Sequence, residues 1–433
     1  MKTTMRMNGK RAGLHGNRIL VLANHCPYPA THGAKIRIWS LLRALAAEGY
    51  ETDLVCLADR SELQQAEHAI HEVCASIEVI HTDLGSLSKG NGIWPRLSPL
   101  LRRVPYGVAR CHSNDMQEAI VRRLERGNIA AVLCEETYAL VNLPRALGVP
   151  LIVDHHNAEH VLLKRYMEYE RNPAKRAYAA LEAANLRKWE RITTERSDLA
   201  LVCSEADRAI YQELCPNAQT AVVPNAIDTD TYTGLGEPDS RVVLYTGGMD
   251  WYPNRDAVEH FVFSILPELR VLAPGVRFVV AGRNPFPEFR KRFAGIPDVE
   301  FTGTVADMRP EIARAAVSVV PLRIGSGTRL KILEAAAMRK PIVSTSVGAE
   351  GLDFVNHREI ILADDPGDFA RAVASLLGDA GLRRRLGDAS RRVIEQRYSL
   401  GALRSALRAA FEKLPTLQRD VALSQPIARG IRN

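Results

Sequence analysis

Short apolar runs alternate with longer amphipathic stretches along most of this chain. Each run is three to five residues long, which suits a strand buried on both faces. The stretches between them repeat apolar positions at helical spacing. The pattern predicts a parallel sheet covered by helices. The predicted strands are Ile19–Ala23, Asp53–Leu57, Ile77–Ile80, Ala130–Cys134, Leu151–Asp154, Leu199–Cys203, Ala221–Pro224, Val242–Thr246, Phe278–Ala281, Val299–Phe301, Val317–Pro321, Ile342–Ser344 and Glu359–Leu362.

A polar segment from Asp228 to Ser240 interrupts the series, with glycines and a proline among threonines and acids, as is typical of a linker. The fold class is therefore α/β, with two doubly wound, Rossmann-like parallel sheets that face a central cleft, where ligands should bind. The predicted division is a disordered extension over residues 1–17, a first domain over 18–235, a second over 236–398, and a C-terminal helix and tail over 399–433.

The most informative motif follows the predicted strand Val317–Pro321. It is a loop through Gly325, Ser326, Gly327 and Thr328, and a helix follows it directly. Glycines let backbone N–H groups approach a ligand closely, and a helix start favours anions. The loop is neither a Walker loop nor the dinucleotide fingerprint, and it could also be an ordinary connection between strand and helix.

Three charged side chains lie at the start of this helix. Arg329 and Lys331 place positive charge at the mouth of the loop, and Glu334 lies about one turn further along. Phosphates next to a hydroxyl-bearing sugar would suit this arrangement.

Other loops of the second domain end at the same predicted edge of the sheet. Paired glycines including Gly248 follow the first strand, and Asn254 either binds a ligand there or caps the next helix. Arg283 and Gly303 follow the next two strands. These two loops are predicted to frame a flat base.

In the first domain, the loop after the first strand leads through Gly33 to Lys35 and Arg37. These two cations are candidates for a phosphate or an acceptor, and ordinary solvated charges at a helix start explain them equally well.

A second loop of the first domain runs from Asp154 to His160 and contains His156 and Asn157. An uncharged imidazole there would donate to a sugar hydroxyl or accept its proton near neutral pH. A metal site made of Asp154, His156 and His160 is the alternative, and it lacks a further ligand set with suitable spacing. No metal is predicted.

Composition places the chain among soluble globular proteins, with 433 residues, 46% hydrophobic and 25% charged. No apolar stretch approaches the length of a membrane span, and the seven cysteines form no Cys-x-x-Cys pair. A cytoplasmic protein with reduced thiols is expected, and the inner face of the membrane is a candidate location within the cytoplasm. The net charge of +7 favours an acidic partner such as a phosphorylated substrate, an anionic membrane or nucleic acid.

Taken together, these motifs resemble glycosyltransferase family 4, the retaining sugar transferases with the GT-B fold. The likeness runs from about Ile19 to Tyr398 and is strongest in the second domain. There Gly-Gly-Met-Asp-Trp-Tyr-Pro-Asn, Ala-Gly-Arg, Phe-Thr-Gly-Thr-Val and Pro-Leu-Arg-Ile-Gly-Ser-Gly-Thr-Arg-Leu-Lys-Ile-Leu-Glu-Ala follow one another in order. The chain looks most like the members found with bacterial exopolysaccharide assembly.

The resemblance implies an acceptor-binding first domain and a second domain that binds a nucleotide diphosphate sugar, as co-substrate and without a cofactor. It implies that Glu334 binds the ribose, that Arg329, Lys331 and the loop amides hold the diphosphate, and that His156 sits beside the transferred sugar. The acceptor would be a saccharide or a lipid-linked saccharide. Ser326 replaces the first of two glutamates that many members carry, which puts contacts to the ring hydroxyls in question.

Two rival functions remain open at this stage. An epimerase of the same fold would isomerise a nucleotide sugar without a second substrate. A non-catalytic nucleic-acid binder would use the basic balance, but aromatic residues make up only 6% of the chain and no groove-binding motif is present. Nucleic acid is therefore not an expected partner.

Two basic, apolar stretches could touch an anionic membrane, Leu97–Val104 and Leu186–Trp189. Packed helices with snorkelling charges would explain them equally well. Ser204 is expected to cap the helix after it rather than to act as a nucleophile.

Overall fold

A computed structural model describes residues 16–58, 60–81, 104–233, 238–283 and 286–414. Most of the predicted extension and all but Val104 of the basic stretch from Leu97 lie outside the described residues. Within the described part of the chain, no helix combines the length and apolar character that crossing a bilayer requires.

The first domain is a seven-stranded parallel sheet in the order β3-β2-β1-β4-β5-β6-β7. The chain builds outward from β1 to β3 and then returns to the other side of β1 with β4, which creates a topological switch point between β1 and β4. The strands are β1 Arg18–Ala23, β2 Glu51–Ala58, β3 Ser76–His81, β4 Ala131–Glu135, β5 Leu151–His155, β6 Leu199–Val202 and β7 Thr220–Val222.

Helices cover both faces of this sheet. They are α1 Gly33–Ala47, α2 Arg60–His71, α3 Tyr106–Arg110, α4 Asn114–Glu125, α5 Glu159–Tyr169, α6 Pro173–Arg196 and α7 Glu205–Leu214, with a 3-10 turn over Thr137–Asn142. Every residue of β4 and β5 is buried, as expected of central parallel strands.

The second domain repeats the plan with six parallel strands in the order β10-β9-β8-β11-β12-β13, so its switch point lies between β8 and β11. The strands are β8 Asp239–Thr246, β9 Arg277–Ala281, β10 Val299–Gly303, β11 Ala315–Val320, β12 Ile342–Ser344 and β13 Ile361–Leu362. The helices are α8 Tyr252–His260, α9 Leu266–Leu272, α10 Pro287–Lys291, α11 Arg309–Arg314, α12 Leu330–Ala337, α13 Ser346–Ala349, α14 Pro366–Gly378, α15 Ala380–Arg397 and α16 Leu400–Phe411, and a π-helical turn over Phe261–Ile265 joins α8 to α9.

The predicted fold class is confirmed, because two parallel sheets with helices on their faces are present. Strand ends shift by a few residues. The largest shift is in β8, which begins at Asp239, inside the segment predicted to be linker.

The last described helix, α16, does not stay with the second domain. Leu403, Leu407 and Phe411 are buried in the first domain's core beside α1. Arg404 and Arg408 both pair with Glu48, just past the end of α1. Helix α16 therefore ties the two domains together beside the C-terminal end of α1.

The stretch from Leu186 to Trp189 lies within α6. Leu186 is buried, and the Trp189 indole N–H donates to the Thr137 carbonyl at 3.0 Å. The apolar members thus pack inward, as the packed-helix interpretation predicted, and leave Arg187 and Lys188 exposed.

Candidate active site between the two sheets

The glycine loop after β11 lies directly against the first domain. The Ala158 backbone N–H donates to the Ser326 hydroxyl at 3.1 Å, and the Asn225 side-chain amide donates to the Thr328 hydroxyl at 2.7 Å. Gly33, at the start of α1, faces Leu330 at the start of α12. The two switch-point edges therefore meet at this loop.

Gly327 allows this close approach. Its φ of +73° lies in the left-handed region, which favours glycine. A Cβ atom there would collide with the Asn157 side-chain oxygen and lie 2.7 Å from the His156 carbonyl oxygen. Because position 327 is a glycine, Asn157 and His156 can lie directly against the loop. A side chain at this position would push them away.

Arg329 lies under the glycine loop rather than in the open cleft. Its guanidinium donates to the carbonyl oxygens of Ser326 (2.5 Å), Gly327 and Val347 (3.3 Å). A Cβ atom at Gly325 would overlap this guanidinium, so the loop is wrapped around it. Burial lowers the pKa of Arg329 to about 10. Arg329 therefore shapes the loop from inside and adds positive potential beneath it.

Lys331 lies beside the glycine pair after β8. Its ammonium donates to the Tyr245 hydroxyl at 2.7 Å and to the Asn254 side-chain oxygen at 3.0 Å. Burial, with the nearby Arg329 charge, lowers the pKa of Lys331 to about 7. Its two partners are neutral, and an arriving anion would stabilise its charged form.

Asn254 holds the loop after β8 in place. Its side-chain N–H donates to the Gly248 carbonyl at 2.8 Å. Helix α8 begins at Tyr252, so Asn254 lies in the first turn and does not act as the cap. The cap interpretation was wrong, because the helix starts at Tyr252 and not at Arg255.

Glu334 lies on α12, partly buried, and accepts a hydrogen bond from the Tyr232 hydroxyl at 2.9 Å. Burial raises the pKa of this carboxyl group. Arg283, half exposed at the end of β9, pairs with Asp250 at 2.9 Å. Gly303 ends β10, and its carbonyl accepts from the Gly282 N–H at 3.2 Å. The predicted donor-side residues thus border one side of the cleft.

In the first domain, three carboxylates surround His156. Its Nε2 lies 3.1 Å from both Glu135 Oε2 and Asp154 Oδ2, and its Nδ1 lies 3.3 Å from Glu136 Oε1. Although burial alone disfavours the charged ring, hydrogen bonds to Asp154, Glu135 and Glu136 raise the pKa of His156 well above its ordinary value. These surroundings favour a protonated ring that donates, in place of the uncharged imidazole that the sequence predicted.

Arg37 is part of the same network. Its Nε and Nη2 donate to the two oxygens of Asp154 at 2.6 and 2.5 Å, and its Nη1 donates to Asn225 Oδ1 at 3.1 Å. It is 2% exposed, and Lys35 is 5% exposed. Arg37 therefore braces the network from within and does not offer an open charge to an acceptor.

The alternative metal trio of Asp154, His156 and His160 is not assembled, because His160 bonds Glu190 instead of approaching His156. Another trio, Glu135, Asp154 and His156, places potential ligand atoms within 4.8 Å of one another. Both Asp154 oxygens are already bonded to Arg37, and the His156 separations are hydrogen-bond lengths. This donor set fits a proton and a guanidinium better than a divalent ion.

Sequence reasoning missed several residues of the site. Glu135 and Glu136 stand at the carboxyl end of β4, at the switch point, and that position was the signal that could have found them. Arg165 donates to both oxygens of Glu350 at 2.5 and 2.7 Å and to the Gly325 carbonyl at 2.5 Å, so it joins the domains across the loop. No local pattern marks that contact. The predicted cap at Ser204 is confirmed, since its hydroxyl accepts from the Asp207 N–H.

Two family models match the chain, one over each domain. The model described as Glycosyltransferase Family 4 matches residues 31–231, and the model described as Glycosyl transferases group 1 matches residues 240–379. The chain belongs to glycosyltransferase family 4. The family predicted from the motifs is confirmed.

Relatives and solved structures agree with this family 4 assignment. A protein of Klebsiella pneumoniae, called an uncharacterized 44.6 kDa protein in the cps region, is 21% identical over 367 residues, 82% of this chain and 90% of its own. Sucrose-phosphate synthase of Thermosynechococcus elongatus has a TM-score of 0.67 at 18% identity, covering 92% of this chain and 98% of that one. Anabaena HepE in complex with UDP has a TM-score of 0.63 at 16% identity, covering 92% and 100%. These likenesses show the GT-B fold.

Proposed function

We propose that this family 4 protein transfers a sugar from a nucleotide diphosphate sugar to a hydroxyl group of a saccharide or lipid-linked acceptor. The observation that carries the proposal is the glycine loop from Gly325 to Thr328. It has a partly buried lysine and a glutamate on one side and the ring of His156 on the other. The protein solved with UDP, HepE, shares the fold.

On this proposal the diphosphate lies against the glycine loop and Lys331. When the bond between the anomeric carbon and the phosphate oxygen breaks, its electron pair stays on the diphosphate. Lys331, the loop amides and the potential from Arg329 oppose that growing negative charge, which makes electrostatic stabilisation the main catalytic contribution. Glu334 accepts hydrogen bonds from the ribose hydroxyls.

The first domain receives the sugar and the acceptor. The His156 imidazolium, fixed by its carboxylates, donates to a sugar hydroxyl or to a phosphate oxygen. The acceptor oxygen bonds the anomeric carbon, and its proton passes to the departing diphosphate. Retention of configuration is part of the proposal on the strength of the family resemblance, and no step is assigned to a metal ion.

The test measures nucleotide affinity and sugar transfer in Lys331→Ala and Glu334→Gln. Loss of a charge-assisted hydrogen bond is worth about 1.5 to 3 kcal/mol, so each variant should lose about ten- to a hundredfold in affinity for UDP or GDP. Lys164→Ala, at an exposed position, is the control. Unchanged affinity in both variants would remove the assignment.

An epimerase that uses the same donor remains the second candidate. It would convert the sugar in the absence of an acceptor, so chromatography of the nucleotide sugar after incubation without acceptor separates the two reactions.

The relative from a cps region supports a role in exopolysaccharide synthesis.

Contact with an anionic membrane is proposed for the outer face of α6. Leu181 and Ile192 are 59% and 43% exposed on this helix, which also carries the exposed Arg187 and Lys188. Flotation with anionic liposomes, compared with neutral ones, tests it: no preferential flotation would reject the contact.

A further inference from the structure

The linker between the domains contributes a side chain to the donor site. Tyr232 lies on this segment, and its hydroxyl donates to Glu334 Oε1 at 2.9 Å. Its ring packs against apolar side chains of the second domain's core on both faces of the sheet. The hydroxyl is thereby held at the carboxylate that is proposed to bind ribose.

Arginines fix the linker at this place. Arg391 Nη1 donates to the carbonyl oxygens of Tyr232 at 2.8 Å and of Ala337 at 2.6 Å, and Ala337 is the last residue of the helix that carries Glu334. Arg309 donates to the neighbouring Thr231 carbonyl at 2.9 Å. Hydrogen bonds to the carbonyl oxygens of Thr231 and Tyr232 therefore hold the linker at a fixed distance from α12.

The geometry of a carboxylate explains what this hydrogen bond does. A carboxylate has two oxygens with about four acceptor positions, so one bond from Tyr232 fixes the side-chain torsions and leaves the rest available. An ordered acceptor binds a pair of neighbouring hydroxyls better than a mobile one, because less rotational freedom is lost on binding. The 2′ and 3′ hydroxyls of a ribose form such a pair.

We propose that Tyr232 is a positioning residue of the donor site: its hydroxyl orients the Glu334 carboxylate toward the ribose hydroxyls, so that the linker helps to select ribonucleotides. The inference rests on the proposed function, since it takes Glu334 as the ribose ligand.

The charged groups around this pair give the inference a second readout. Glu334 faces Tyr232 and Lys331, and Tyr232 faces Arg309 and Asp307 as well as Glu334. Burial raises the pKa of Glu334, while the Tyr232 hydrogen bond and Lys331 lower it. Nucleotide binding requires the carboxylate and weakens as the pH falls through this pKa. Without the hydroxyl the pKa rises further, so the loss of affinity begins at a higher pH.

The experiment compares wild type with Tyr232→Phe by calorimetry with UDP, GDP and their 2′-deoxy forms, across the pH range from 5 to 8. We expect ribonucleotide affinity to fall about fivefold to tenfold, 2′-deoxynucleotide affinity to fall less than twofold, and the acid limb to move to higher pH. Tyr166→Phe, which removes a similar tyrosine bond to Glu170 outside the donor site, is the matched control.

The outcomes separate this inference from the proposed function. If Glu334→Gln leaves UDP affinity unchanged, the ribose contact itself is wrong. If Glu334→Gln weakens binding while Tyr232→Phe keeps the ribose preference and the pH profile of wild type, only the role of Tyr232 is overturned. Tyr232→Leu, which keeps an apolar side chain without a hydroxyl, should reproduce the loss of ribose preference, and a retained preference in it also counts against the inference.

Discussion

Gly327→Ala should hold the two domains apart without unfolding either of them. An alanine methyl at this position would meet the Asn157 side chain and the His156 carbonyl, both on the first domain. A backbone carbonyl cannot rotate away like the end of a flexible side chain. The cheapest relief is therefore a small opening of the cleft at the glycine loop.

The cost of that opening follows from the contacts around the loop. Among the described residues, the bonds from Ala158 to Ser326 and from Asn225 to Thr328 are neutral, and each is worth about 1 kcal/mol. The partly exposed pair of Arg165 and Glu350 adds about as much. Losing all of them weakens closure by about 3 kcal/mol, or about a hundredfold in the population of the closed form.

Gly127→Ala is the matched control, because Gly127 has almost the same φ, +70°, and a methyl group added there would meet nothing within 4 Å. In both variants alanine occupies the left-handed region, which costs about 1 to 2 kcal/mol of unfolding free energy. Small-angle X-ray scattering should give a larger radius of gyration for Gly327→Ala only. Sugar transfer from a panel of nucleotide sugars should fall about a hundredfold in the same variant.

Equal scattering and equal transfer in the two variants would refute this reasoning. Such a result would mean that the first domain does not rest on the glycine loop in solution. A loss of unfolding free energy in Gly327→Ala that exceeds that of the control by clearly more than the contacts' about 3 kcal/mol would also contradict it, since the strain would then be stored inside a domain rather than relieved by opening.

Three further predictions concern charged groups. The pKa of Lys331 is lowered to about 7, and a bound diphosphate should restore its charge. UDP affinity should therefore fall by at most about tenfold per pH unit as the pH rises from 7 to 9. Binding should also take up a proton, which calorimetry detects as a binding enthalpy that depends on the buffer. Lys331→Met should abolish both effects, and a pH-independent wild type would contradict the assignment. Arg165→Gln should lower kcat about tenfold and change UDP affinity less than twofold, since its Glu350 partner joins the domains; equal losses in both would argue against this role. Asp154→Asn should lower the free energy of unfolding in urea by about 3 to 5 kcal/mol, because it breaks a buried charge network. Asp228→Asn, in a more exposed pair, should lower it by under about 1 kcal/mol. Similar losses in the two variants would show that burial does not govern the strength of these pairs.

The sequence by itself determined the two parallel sheets, and the reason is burial. A central parallel strand is covered on both faces, so its residues form an uninterrupted apolar run such as Ile19–Ala23, all of it buried. Turn chemistry likewise marked the glycine loop, because the backbone conformation at Gly327 disfavours other residues. The family followed from motifs of this kind.

Only the tertiary structure decided which groups surround His156 and which groups Arg329 bonds. Parallel pairing sets Glu135 of β4 opposite Asp154 of β5, and the next residue, Glu136, then reaches the same ring. Sheet order and register create that meeting, and neither can be read from residues nineteen positions apart. From its position after the glycine loop, Arg329 was expected to contact the ligand. In the folded loop, backbone carbonyl oxygens lie within reach of its guanidinium instead. Long-range proximity and backbone direction govern electrostatics, whereas apolar spacing along the chain governs which elements form.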